Sequence, residues 1–381
     1  MSRTFFSITA AFLMLAGSGL AMAEDTALLP LESRSIPGFQ PIPITSQQFL
    51  ASPRLVARGD QTILVWVQQD EEGRESLRSL KLADQRQQDY PIARLIAQPA
   101  GEGEQFSPVV ALDTAGRKEA WAWLSYDGME QLLSVKSGTD SPFVLARTEG
   151  VIDFPAIEFD EAGVLYAAWS IQNGGRSEAW AAWKPTESEW QGRRLSSGLR
   201  PYELLPHLFR NSTTADVYWY SIDGSEIALH GARLSPELSE VLTHQVEGFI
   251  PAYRLPILFR PLPDRAPGAL WIEPLDDGEV YFAMDPRSPV YPAPTIVGEL
   301  GAPPALAAVS NDASAAKAWV LRQPPLTTLV AENPHGEPIM QLVDGSVVEP
   351  QIAVSQAWTS LAWMERDPAT GLATLWFMRT R

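Results

Sequence analysis

A proline and a tryptophan recur as a pair seven times along this 381-residue chain, and that pairing limits the fold more than any other feature. The prolines are Pro53, Pro108, Pro155, Pro206, Pro256, Pro304 and Pro350. The tryptophans follow 13 to 15 residues later, at Trp66, Trp123, Trp169, Trp219, Trp271, Trp319 and Trp363. Successive prolines stand 46 to 55 residues apart. A period near fifty residues marks a repeated unit that buries its apolar face only by stacking on copies of itself.

Within a unit the sequence reads as four short strands. "PVVALD" (108–113), "PAIEFD" (155–160) and "PQIAV" (350–354) are apolar runs of strand length, each opened by a proline that needs no ladder donor there. "DTAG" (113–116) and "DEAG" (160–163) are Asp/Gly turns into a second strand that carries the tryptophan. Turns at Asp127-Gly128, Asn173-Gly174, Asp223-Gly224 and Asp277-Gly278 lead to third strands such as "EQLLSVKS" (130–137) and "EIALHGARL" (226–234). A fourth, less regular strand closes most units, as in "FVLARTE" (143–149).

Seven such units predict an all-β chain: a seven-bladed β-propeller of four-stranded antiparallel blades over residues 39–381. The last unit stops at its third strand, "LATLWFMRTR" (372–381). An unassigned extended stretch, "FQPIPITSQQ" (39–48), precedes the first unit. Residues 41–48 are expected to supply the missing outer strand, so that pairing of the chain's two ends closes the ring and leaves no open gap. The tryptophans then wedge between adjacent blades, each burying up to ~250 Å². A small residue before several of them (Ala122, Ala168, Ala318, Ala362) allows close strand packing.

The proline-led strand, Asp/Gly turn and tryptophan strand together resemble the blades of sialidase-like, or BNR-like, propellers over residues 39–381. "YRLP" (253–256) is similar to the sequence that presents a carboxylate-binding arginine in sialidases, whereas the Asp box of that family, Ser-x-Asp-x-Gly-x-Thr-Trp, is absent. The resemblance implies an axial site in which Arg254, with Arg54 opposite, pairs bidentately with a substrate carboxylate. Two of Asp153, Glu273, Glu349 and Glu365 would then divide the acid and base or nucleophile roles of a glycoside hydrolase.

Propeller ligands bind over the loops that enter strand one and join strands two and three. Candidate binding residues at that mouth are therefore Arg54, Asp153, His207, Arg254, Glu273, Glu349 and Glu365. The chain has no Cys, and its four His are scattered, so neither a transition-metal site nor a cofactor is expected. A net charge of −17 repels phosphate backbones and argues against nucleic acid. Ser2-Arg3-Thr4, the apolar run from Phe5 to Leu20 and Ala21-Met22-Ala23 read as a cleaved export signal over residues 1–23, followed by a flexible segment over 24–38. The expected product is periplasmic or secreted and not inserted in a membrane. An acidic ring with long Pro-rich loops suits a binding or scaffolding module for a protein, peptide or glycan, with glycoside hydrolysis as the alternative.

Overall fold

The structure, a computed structural model, describes residues 41–59, 61–69, 72–83, 94–97, 105–185, 189–196, 202–224, 226–237, 241–246, 257–259, 267–275, 278–284, 295–298, 306–311, 314–323, 326–332, 339–343, 346–355 and 358–380. The expected export signal (1–23), the segment 24–38, Arg254, Pro256 and Pro304 lie outside the described residues. Among the described residues every regular element is a strand.

The first strand, β1 (Ile42–Gln47), stands apart from its neighbours in sequence. Sheet one follows as β2 (Leu50–Arg58), β3 (Gln61–Gln69), β4 (Glu75–Ala83) and β5 (Arg94–Ala97). Sheet two holds β6 (Gln105–Leu112), β7 (Glu119–Asp127), β8 (Glu130–Ser137) and β9 (Phe143–Thr148). Sheet three is β10 (Val151–Phe159), β11 (Leu165–Asn173), β12 (Arg176–Lys184) and β13 (Gln191–Arg194). Sheet four is β14 (Tyr202–Arg210), β15 (Ala215–Asp223), β16 (Glu226–Leu234) and β17 (Thr243–Gln245).

Two further sets of four come next. One is β18 (Ile257–Phe259), β19 (Gly268–Leu275), β20 (Gly278–Met284) and β21 (Thr295–Gly298). The other is β22 (Leu306–Asn311), β23 (Ser314–Gln323), β24 (Leu326–Glu332) and β25 (Ile339–Val343). A single parallel bridge, Gly298 to Arg322, joins the two sets. The last sheet contains β26 (Ser346–Val354), β27 (Thr359–Arg366) and β28 (Ala373–Thr380). Its fourth strand is β1, antiparallel to β28, with Ile42 opposite Phe377 and Gln47 opposite Ala373. Ser46 Oγ and Thr374 Oγ1 lie 2.7 Å apart across that seam.

Local chemistry accounts for the hairpins. In the turn after β6, Gly116 N–H donates to the Asp113 carbonyl, and Arg117 N–H donates to Asp113 Oδ1. Gly116 has a φ of +69°, and a Cβ there would stand 2.7 Å from the Arg58 carbonyl oxygen of sheet one, so both conformation and space demand glycine. After β10 the same device is buried. Asp160, fully buried, accepts from Val164 N–H and from the Tyr166 hydroxyl.

The landmark prolines do not open their strands. Each described one lies three or four residues inside its strand, at a β-bulge. The register shows why proline and tryptophan recur together. On sheet one, Ala51 faces Val67 and Arg54 faces Val65, so Ser52 and Pro53 together oppose Trp66. Ser107-Pro108 oppose Trp123, Phe154-Pro155 oppose Trp169, Leu205-Pro206 oppose Trp219, and Glu349-Pro350 oppose Trp363 in the same way. Two residues against one is the bulge count, and a proline with no N–H to satisfy suits a position that has left the ladder. The residue before each of these prolines is left-handed: Ser52, Ser107, Phe154, Leu205 and Glu349 have φ between 48° and 54°. Left-handed backbone costs a residue with a Cβ about 1–2 kcal/mol, so five copies require a consistent compensation.

The compensation is the indole on the facing strand. Trp66, Trp219 and Trp363 are 1 % exposed, Trp123 and Trp169 4 % and Trp319 6 %. The alanines before four of them are closed to solvent. The fifth set keeps the offset, with Ile257 opposite Leu270, the neighbour of Trp271. The sixth set departs from it, because Leu306 faces Trp319 itself.

The cores lie between successive sheets. Leu112, Trp121 and Trp123 of sheet two meet Ile63, Val65 and Val67 of sheet one. Sheets two and three share Leu133, Ile152 and Trp169, and sheets three and four share Trp183, Val217 and Trp219. Tyr218 and Tyr220 of sheet four pack with Leu258 and Ala269 of the fifth set. Val320 and Leu329 of the sixth set join Trp363 and Trp376 of the last sheet. The last sheet in turn meets the first, where Leu64 and Trp66 pack with Met364, Leu375 and Phe377.

Candidate functional site

The bulges place a common set of positions at one end of the inner strands. At this end each first strand starts, and each second strand turns into the third. Arg54, Gln351 and His207 occupy the same place on their sheets, directly after the bulge proline. Arg54 Nη1 donates to the Pro53 carbonyl at 2.9 Å, and Gln351 Nε2 donates to the Pro350 carbonyl at 3.0 Å. The following side chain thus satisfies a carbonyl that the bulge took out of the ladder.

Arg54 and Glu349 lie near enough, between the first and last sheets, to feel each other's charge without forming an ion pair. Burial draws the Arg54 guanidinium below its usual pKa, and the neighbouring Glu349 charge opposes that shift. Burial raises the Glu349 carboxyl, opposed by the Arg54 charge and by the Ser52 N–H donated to it. Both charges are short of water, and each partly compensates the other. Since Ser52 and Glu349 are the left-handed residues of adjacent sheets, this bond couples one bulge to the next.

The remaining sequence candidates are dispersed. His207 has Nε2 buried with no hydrogen-bond partner among the described residues, and its ring stands edge-on to Tyr220 at 6.4 Å. Burial lowers its pKa to about 4, so the imidazole is neutral at physiological pH. Asp153 is half-buried beside the Phe154 bulge, and burial raises its carboxyl above the usual value. Glu365 accepts from Trp363 Nε1 at 2.7 Å, as Gln68 does from Trp66 at 2.8 Å, which makes its visible role the satisfaction of a buried indole. Glu273 lies on β19 opposite Val280. Arg254, and with it the expected arginine pair, falls outside the described residues. Among the described residues no group of three or more His, Asp or Glu is placed to hold a metal ion.

Sequence reasoning placed Tyr126 at this end but missed Met129, Val151 and Tyr202. Tyr126 is 43 % exposed and Met129 85 %, both at the turn between β7 and β8, and Val151 and Tyr202 at the starts of β10 and β14 are 41 % and 40 % exposed. Phe106 packs against Tyr126 with ring centroids 5.4 Å apart. The available signal was Met129 directly after Asp127-Gly128, an apolar side chain where a solvated turn calls for a polar one. The opposite end of the inner strands is tied by charge. Arg58 of sheet one reaches Glu158 of sheet three at 3.5 Å, and Arg210 of sheet four reaches the Thr114 hydroxyl of sheet two at 3.4 Å.

Antiparallel sets of four strands taken in chain order, most of them packed on the next, have a counterpart among solved structures. The sialidase of Trypanosoma rangeli, solved with the inhibitor DANA, superimposes with a TM-score of 0.50 at 10 % identity over 92 % of this chain. The chain folds as a β-propeller. It spans 60 % of the length of that sialidase. Two other similar structures are the β-propeller domain of the Trilobed protease from Pyrococcus furiosus and a puromycin-hydrolysing peptidase of Mycobacterium tuberculosis. The first has a TM-score of 0.46 at 11 % identity, over 86 % of this chain and 94 % of that one. The second has a TM-score of 0.48 at 11 % identity, over 86 % of this chain and 52 % of that one. No family model matches the sequence, and no curated protein matches it. At such identities the likeness concerns the fold alone.

Proposed function

We propose that this propeller has seven blades over residues 39–381, is closed by its own chain ends, and acts after export as a binding or scaffolding module in a bacterial periplasm or outside the cell. The β1–β28 pairing and the cores shared between successive sheets support the ring. The reading Ser2-Arg3-Thr4, apolar run, Ala21-Met22-Ala23 supports export. The ligand is a protein, peptide or glycan bound at the end where the first strands start.

One observation carries the binding role. Of the seven large apolar side chains that stand exposed among the described residues, Tyr126, Met129, Val151 and Tyr202 gather at that end on three consecutive sheets. Large apolar side chains left exposed at one rim of a rigid scaffold mark an interaction surface. Arg54 and Glu349 are each engaged with backbone and feel each other's charge, which suits architecture more than proton transfer.

A benzophenone side chain installed in place of Met129, in cells that produce the protein, tests the reading. Irradiation is expected to give a discrete adduct from position 129 and none from position 242, where Leu242 is exposed at the opposite end. Equal labelling from both positions contradicts it. Turnover of a fluorogenic sialoside above background transfers the site to the glycoside hydrolase alternative.

A further inference from the structure

Resting on that binding role, we infer that the mouth over sheets two to four takes an extended segment of a partner protein in which basic side chains alternate with apolar ones. Its anchoring carboxylate is Asp153. Tyr126, Met129, Val151 and Tyr202 each stand exposed at this end of sheets two, three and four.

The charge of this rim favours a basic partner. Along the same rim Asp127, Glu149, Asp223 and Glu226 are exposed, against Arg147 and Arg176. Arg147 is already paired, at 3.2 Å with Asp127 and at 2.7 Å with Glu130. The rim is therefore acidic as well as apolar, within a chain whose net charge is −17. An anionic ligand is repelled there, and a cationic one is drawn in over several ångströms.

Asp153 gives this field a focus. Alternation along β10 puts Val151 and Asp153 on one face and Ile152, which is wholly buried against sheet two, on the other. Asp153 thus shares a face with an exposed apolar residue, and that face is turned towards sheet four. The backbone of Asp153 is held, since its carbonyl accepts from Ser170 Oγ at 3.2 Å. Among the described residues no donor or cation meets its carboxylate. A half-buried carboxylate without a partner is costly, and a lysine, arginine or terminal amine from a ligand relieves that cost. The rim is also preformed. Gly150 N–H donates to Thr148 Oγ1, and a Cβ at Gly150 would stand 2.3 Å from the Gln172 carbonyl, so the link into β10 lies tight on β11. A rigid edge of this kind suits an extended chain that loses little further entropy by lying along it.

An array of twelve-residue peptides with a constant leucine and tyrosine content, and with lysine, glutamine or glutamate at the alternate positions, probes the full-length protein directly. The lysine series is expected to be retained and the glutamate series not. Asp153→Asn is expected to weaken the lysine series about tenfold, equivalent to about 1.4 kcal/mol. Met129→Ser, at a side chain too exposed to affect folding, should weaken it severalfold. Glu189→Gln, an exposed acid near the opposite end, should leave it unchanged. Equal loss in Glu189→Gln and Asp153→Asn overturns the inference in favour of bulk charge. Retention of the glutamine or glutamate series, lost in Met129→Ser, overturns the charge class while leaving the mouth as the binding site. No series sensitive to Met129→Ser or Asp153→Asn overturns the inference and the binding role together.

Discussion

Replacing Trp66 by alanine probes both the packing of the sheets and the seam between the chain ends. The indole is 1 % exposed, and a buried tryptophan of up to ~250 Å² contributes at most ~6 kcal/mol by transfer at ~25 cal/mol per Å². Alanine keeps one methyl and leaves a cavity that relaxes only in part, so the expected loss is about 3–5 kcal/mol. Trp66→Phe keeps most of the apolar area. It removes the 2.8 Å bond from Nε1 to Gln68, and it should cost about 1–2 kcal/mol. At about 2 °C per kcal/mol for a domain of this size, the alanine variant should melt about 6–10 °C below the parent.

The effect should also be local. Trp66 packs with Ala362, Met364, Leu375 and Phe377 of the last sheet. Amide exchange in β1 and β28 should therefore accelerate well before exchange in β10 to β12. A melting point within a degree or two of the parent, or faster exchange spread evenly over all sheets, refutes the assignment of this indole as a wedge between the first and last sheets.

Other consequences are more limited. At Ser107, with φ 48°, valine should cost about 1–2 kcal/mol whereas glycine should stay within about 1 kcal/mol of the parent, read from parallel denaturant curves; a glycine variant less stable than the valine variant contradicts the left-handed bulge. His207 takes up a proton only near pH 4 in the folded chain, against about 6.5 when unfolded, so its contribution to stability is complete above about pH 6.5 and is lost as pH falls towards 4. The parent should therefore lose up to about 3 kcal/mol more than His207→Phe between pH 7 and pH 4, and equal pH profiles for the two proteins contradict the burial of this ring. The raised carboxyls of Asp153, Glu158 and Glu349 act in the opposite direction and are common to both proteins.

The repeat was legible because its cause is geometric. A two-residue excursion in one strand facing one tryptophan in the next fixes both landmarks, and only the length of the hairpin between them varies. The turns after β6 and β10 were equally readable, since Asp and Gly at 113, 116, 160 and 163 do the hydrogen bonding and the left-handed turning themselves. The place of the prolines was misread. A proline in a strand implies a missing donor, and a strand start and a bulge both provide one; only the pairing of Leu50 with Gln68 upstream of Pro53 distinguishes them. Expected site residues separated according to what they touch. Glu349 is bonded to Ser52 N–H and feels the Arg54 charge because adjacent sheets bring corresponding bulges together, whereas Glu365 accepts from an indole two residues before it on its own strand. Val151 and Tyr202 were hidden because they look like strand residues whose exposure depends on how the sheets end, whereas Met129, directly after Asp127-Gly128, carried a readable signal.

Closure of the ring by the chain's own ends is most directly tested by a disulfide. The chain has no cysteine, and Ser46 and Thr374, 328 positions apart in sequence, face each other across the seam. With both replaced by cysteine, spontaneous oxidation to an intramolecular disulfide that leaves no free thiol is expected. Stabilisation of up to about 6 kcal/mol relative to the reduced form, the chain-entropy bound for so long a loop, is expected as well. Two thiols that stay free under oxidising conditions in the folded protein, or that couple only between molecules, would contradict it.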